Sequence, residues 1–126
     1  MQHSTPPPTP AESGRIERLK VWGCICCVQA QYRQAGERLE VHHIVEGHRR
    51  LGHWYTLVLC SGHHRSVWSR RQLDTLAPTA RVSIADGRKA FVAAFMPERD
   101  LWEVGQDVLG LDRSWVPTKV LPRRLA

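Results

Sequence analysis

The sequence predicts a small α+β domain held together by zinc: strand, loop, strand and helix, followed by a C-terminal helical pair. Three observations lead there. Two hooks with metal-ligand spacing occur, Cys24-Ile25-Cys26-Cys27 and Cys60-Ser61-Gly62-His63. Between them lie two runs patterned as strands. After the second hook the pattern changes to a helical one. A chain of 126 residues is expected to form one domain. A bound metal would help stabilise a domain of this size.

Composition narrows the class. Hydrophobic residues make up 42% and charged residues 24%, as in soluble proteins. The net charge of +6 favours a polyanionic partner, nucleic acid or an anionic membrane surface. Residues 1–85 carry eleven Lys/Arg against six Asp/Glu, so the basic excess travels with the hooks. The N-terminus has no apolar core of a secretory signal, and no run approaches the ~20 apolar residues of a membrane span. A cytoplasmic chain is expected, and there hook-spaced Cys and His read as metal ligands rather than disulfides.

In chain order, residues 1–13 hold four prolines and read as a disordered or polyproline-like leader, more readily one without a role. Residues 14–110 read as the domain. Within it, 14–22 suits a short helix or an entry strand, with Arg15, Arg18 and Lys20 as a basic side. Residues 39–44 (LEVHHI) alternate as a strand, 45–52 read as a loop, and 53–59 (HWYTLVL) as a second strand. Ser61 suits the cap of a helix over 62–73, with His64, Val67, Trp68 and Arg71 on one side. Residues 80–85 suit an edge strand or connector. Asp86 suits the cap of a helix over 87–96 carrying Phe91 and Phe95. A second helix is expected over 97–109, with Glu98 and Asp100 in its first turn and Gly110 ending it. Residues 111–126 read as a basic tail.

The two hooks make a tetrahedral Cys₃His site of Cys24, Cys27, Cys60 and His63, suited to structural Zn²⁺. Cys26 is either a replacement ligand or an inert neighbour, and the inert reading is favoured. His42, His43 and His64 remain as a second set. Hydrolysis of a phosphodiester needs an activated water and a positive group at the phosphoryl oxygens. A near-neutral histidine serves the first need, and a divalent ion the second.

The pattern C-x-x-C, then Val41-His42-His43-Ile44, then Leu59-Cys60-x-x-His63-His64 resembles the HNH endonucleases, whose catalytic element is a ββα-metal hairpin and helix on a treble-clef-like zinc frame. His63 stands where a fourth hook cysteine is usual. Together with Gly52-His53 and the later Lys89-Ala90-Phe91 and Leu101, the motifs are most similar to phage and prophage Ref-type nucleases, the RecA-dependent recombination-enhancement enzymes. The resemblance covers about residues 20–110. It implies a DNA endonuclease with His43 as general base and a catalytic ion held by His42 and His64. It also implies a bacterial host cell and targeting by a RecA filament. Two imidazoles hold Mg²⁺ weakly; Mn²⁺ and other softer ions suit them better.

Two features sit awkwardly with this pattern. Neighbouring strand residues point to opposite faces, so His42 and His43 share a site only if the strand bends or ends there. The family's Asn on the second strand is missing, since the chain contains no Asn. His53 is the better substitute to orient His43 or touch the metal, with Tyr55 second; His48 reads as a loop residue. Arg49, Arg50, Arg65, Arg70 and Arg71 flank the proposed centre and suit phosphate. Trp54 and Trp68 suit base stacking or, more readily, core packing. The rival reading is a zinc-stabilised DNA-binding or scaffold module that cuts nothing. A third, a redox protein using Cys24 and Cys27, leaves the Cys60–His63 spacing unexplained.

Overall fold

A computed structural model describes residues 6–32 and 37–115. Residues 1–5 of the expected leader and 116–126 of the expected basic tail lie outside them.

Helix α1, Pro10–Trp22, starts earlier than the sequence suggested. The end of the proline-rich leader is in fact a helix start. Thr9 and Glu12 form a reciprocal capping box, and Pro10 takes the first turn, where its missing N–H costs nothing. Leu19 and Ile16 enter the core, and so does Arg15, which was expected on a basic outer side. Its guanidinium donates to Gln106 Oε1 at 2.7 Å, to Thr56 Oγ1 at 2.9 Å and to the Thr56 carbonyl at 3.1 Å. The short α2, Ile25–Gln29, carries the rest of the first hook, and the Cys24 thiol caps it.

Strands β1, Leu39–His43, and β4, Thr56–Cys60, pair antiparallel, with His43 opposite Thr56 and Leu39 opposite Cys60. β4 is buried throughout. The segment expected to be a loop forms a small second ribbon, β2 Val45–Glu46 with β3 Arg49–Arg50. Gly47 and His48 both take positive φ, 56° and 65°, as a tight I′ hairpin turn requires. Residues 53–55 form a turn instead of opening the second strand, which therefore starts at Thr56.

The helix expected over 62–73 is two helices, α3 Ser61–Arg65 and α4 Arg70–Thr75. Ser66 adopts the left-handed conformation and closes α3, and a capping box between Ser69 and Gln72 opens α4. His64 and Arg71 are therefore not on one continuous helical face. The stretch 80–85 is no strand; 3₁₀ turns at Pro78–Ala80 and Ile84–Asp86 occupy it. Asp86 accepts from the Ser83 backbone and the Ser66 hydroxyl instead of capping the next helix.

The helical pair follows as α5, Arg88–Ala94, and α6, Glu98–Leu109. Gly110, left-handed, ends α6, and the Leu111 N–H bonds back to the Gln106 carbonyl. The core gathers Phe91, Leu101, Trp102, Leu57, Leu59 and Ile44 between β4 and the helices. The domain is thus mixed α+β, with a short sheet flanked by helices. No helix among the described residues is long and apolar enough to cross a membrane.

Candidate functional site

The first hook follows α1 directly after Gly23 and enters α2; the second ends β4 and enters α3. In each, the backbone N–H of the last hook residue points back at the first thiol: Cys27 N to Cys24 Sγ, and His63 N to Cys60 Sγ, both 3.4 Å. The four side chains meet with no exposure at all. His63 Nδ1 lies 3.6 Å from Cys24 Sγ, 3.5 Å from Cys27 Sγ and 3.2 Å from Cys60 Sγ, while Cys27 and Cys60 Sγ are 3.7 Å apart. A zinc with Zn–S ~2.3 Å and Zn–N ~2.0–2.1 Å sets its tetrahedral ligands ~3.5–3.8 Å apart, so the cluster fits that ion. Cys26 is fully buried beside the cluster and is not one of its four members.

The surroundings suit the same ion. His63 Nε2 lies 2.9 Å from the Ala80 carbonyl, which can only accept. That nitrogen therefore carries the hydrogen, and Nδ1 turns its lone pair to the thiols. Gln72, buried on α4, donates to Cys60 Sγ at 3.1 Å. Trp68 and Phe95 stand edge-on to the His63 ring, with centroids at 5.0 and 5.2 Å. Burial alone would raise the Cys24 thiol; hydrogen bonding with Cys26, Cys27, Cys60 and His63 outweighs it and holds Cys24 well below the usual range. Burial would likewise lower His63, yet its bonds to Cys24 and Cys60 raise it to about 10.

The remaining histidines lie at the end of the sheet. His42 and His43 point apart, as the pleat dictates, and β1 ends at His43. His42 faces His64 across 5.4 Å between ring centroids, and its Nε2 meets Glu98 Oε1 at 3.0 Å. His64 Nδ1 meets Glu40 Oε1 at 2.7 Å. Both carboxylates accept, leaving His42 Nδ1 and His64 Nε2 as lone-pair donors. Apart from the Cys/His tetrad, no group of three candidate ligands among the described residues has its donor atoms within 4.8 Å of one another. The histidine pair thus offers two nitrogens, and water or substrate oxygens would complete any ion bound there.

His43 takes the other side, its Nε2 3.0 Å from His53 Nδ1. Burial is the main cause that lowers His43 from its ordinary range, followed by the charges of Arg50, His53, His42 and His64. All four therefore lie within electrostatic reach of it.

Sequence reasoning missed the two carboxylates. Glu40 is held by the Arg65 guanidinium at 2.8 and 2.6 Å and by the Ser61 hydroxyl at 2.8 Å. The Arg65 bond is the main reason Glu40 sits well below the usual carboxylate range; the His64 and Ser61 bonds add to it against the effect of burial. Its two-residue spacing from His42, which puts both on one strand face, was the available signal. Glu98 is only 7% exposed and also takes an ion pair from Arg88 at 3.2 Å. Nothing in its own stretch separates it from an ordinary first-turn acid.

The five arginines divide. Arg49 and Arg50 are exposed on β3, and the charge of Arg50 reaches His43. Arg65 is committed to Glu40. Arg70 pairs with Asp74 at 3.4 Å, and Arg71 lies over the Tyr32 ring at 5.7 Å. Trp54 packs on the core, its carbonyl accepting from Trp102 Nε1, and Trp68 packs on His63. An open groove of about 520 Å³, lined by Val45, Glu46, Gly47, Arg49 and Arg88, runs between the β2–β3 ribbon and α5. A neighbouring one of about 180 Å³ reaches Glu98.

The family model described as recombination enhancement, RecA-dependent nuclease matches residues 8–110. No curated protein and no solved structure matches the chain.

Proposed function

The chain belongs to the recombination enhancement, RecA-dependent nuclease family, and from that premise we propose that it is an HNH-type endonuclease hydrolysing DNA phosphodiester bonds. His43 serves as general base, and His42 and His64 hold one divalent ion such as Mg²⁺ or Mn²⁺. That ion, when bound, supplies Lewis-acid stabilisation of the phosphoryl and leaving oxygens. The observation that carries the reading is the pairing at the sheet end: two imidazoles 5.4 Å apart, each backed by a carboxylate, beside a third whose proton affinity is lowered.

The chain's own groups divide the work. Glu40 and Glu98 hold the His64 and His42 rings with their free nitrogens outward, as carboxylates do behind metal-bound histidines. His43, neutral at physiological pH, takes the proton of the attacking water, and His53 orients it. Arg49, which lines the groove, and Arg50, exposed next to it on β3, neutralise backbone phosphates. Such contacts position a strand without reading its sequence, so cleavage is non-specific and the RecA filament supplies the targeting. Cys24, Cys27, Cys60 and His63 hold structural zinc and take no part in the reaction.

The test is plasmid and single-stranded circle cleavage with Mg²⁺ or Mn²⁺, with and without RecA on the DNA. Wild type should nick in a metal-dependent way. His43→Ala should lose ~10²–10⁴-fold in rate, the share a general base supplies, with zinc content unchanged. DNA binding without cutting on either substrate, RecA-coated DNA included, would leave a zinc-stabilised binding module in its place.

A further inference from the structure

We infer that the proline-rich segment ahead of α1 is a positioning element for the histidine that acts as base: the Pro6 carbonyl, through His53, selects which nitrogen of His43 accepts the proton. The inference rests on the proposed role of His43. It starts from one contact between distant parts of the chain, His53 Nε2 to Pro6 O at 2.7 Å.

A carbonyl has no hydrogen to give, so His53 Nε2 must carry one. In neutral imidazole the other nitrogen is then a bare acceptor. That nitrogen, Nδ1, faces His43 Nε2 at 3.0 Å. His43 must therefore donate from Nε2, which leaves its Nδ1 with the lone pair. The chain Pro6 C=O, His53, His43 has one consistent set of hydrogen positions while both rings are neutral. It ends on an unprotonated His43 Nδ1, the state a general base needs.

The strut is built to hold that carbonyl still. The Thr9–Glu12 capping box fixes the start of α1. Pro7 and Pro8, with φ locked near −65°, connect it stiffly to Pro6. His53 is anchored from its own side, since the Thr56 hydroxyl donates to the His53 carbonyl at 3.0 Å. The ring is thus held at both nitrogens and at its backbone. A segment that composition alone marks as a disordered leader ends on the catalytic side of the molecule.

The experiment reads tautomers directly, by long-range ¹H–¹⁵N correlation on the full-length, histidine-labelled protein at about pH 8, above the ordinary imidazole range. His53 and His43 should each appear as a single Nε2–H tautomer. In His53→Leu, His43 should become a mixture of both tautomers. In a full-length variant with Pro6, Pro7 and Pro8 all changed to Gly, His53 should become mixed and His43 should follow. An Nδ1–H signal on either ring in wild type would overturn the relay, as would unchanged tautomers in both variants. A response to His53→Leu alone would overturn the part given to the proline strut. Cleavage is a separate readout: the glycine variant should lose ~10-fold in kcat, within the share of a general base, while KM holds. The spectra need no cleavage, so they judge the relay even if the protein cuts nothing. An intact relay in a nuclease indifferent to His43→Ala would remove the base and leave the relay standing.

Discussion

His43 is the residue whose environment makes the sharpest statement about pH. Burial and four neighbouring cationic or titratable groups all disfavour its charged form, with burial first. A divalent ion on His42 and His64 would push the same way. The proton-accepting form is therefore filled at lower pH than in a free imidazole. The acid limb of kcat against pH at saturating Mn²⁺ should have its midpoint below ~6.5, and activity should hold as pH rises above it. Glu98 predicts a second effect. Glu98→Gln keeps the shape beside His42 and removes the charge, so Mn²⁺ affinity should weaken by ~10–100-fold in a calorimetric titration. The histidines could be picked out from the sequence because hook spacing and the His-His pair are local signals. Glu98 could not, because it meets His42 only when α6 docks.

Helix α3 is five residues long and carries two members of the Cys₃His cluster within it or at its cap. Its packing leaves no spare room at Gly62. A methyl there would lie 2.2 Å from Trp68 Cε3, against a ring that itself abuts His63. Gly62→Ala should therefore destabilise by about 1–3 kcal/mol, read from the midpoint of urea unfolding. The sequence suggested an uninterrupted helix here because His64, Val67, Trp68 and Arg71 share a helical spacing. The break was encoded in Ser66 and Ser69, whose left-handed turn and capping box outweigh that periodicity. The β2–β3 ribbon went unread for a similar reason. His48 at positive φ is an uncommon turn residue, so Gly47-His48 did not announce a hairpin. The strands, the final helical pair and Gly110 as the end of α6 were recoverable to within a few residues, since alternation, an apolar stripe and a C-terminal glycine act locally.

Across the whole molecule, two devices join parts remote in sequence. Arg15 ties α1 to β4 and α6 through Gln106 and Thr56. Arg15→Ala strands those partners in the interior and should cost ~2–4 kcal/mol, measured by thermal or urea denaturation. The Cys₃His cluster, which fits a zinc ion, ties the chain entering the sheet to the chain leaving it. Stripping the ion with a strong chelator should abolish cooperative unfolding, followed by circular dichroism, because ligand binding and folding are one equilibrium in such small domains. The tetrad was legible from spacing alone. The Arg15 tie was not, because a lone arginine in a basic stretch looks like solvated surface until its partners are placed. The Glu98–His42 contact has an outcome in time as well as space. Glu98 comes 56 residues after His42, with both hooks between the N-terminus and it. A growing chain contains every one of these histidines before that carboxylate has been translated. The proposed centre thus gains the carboxylate behind His42 only after its histidines have been made.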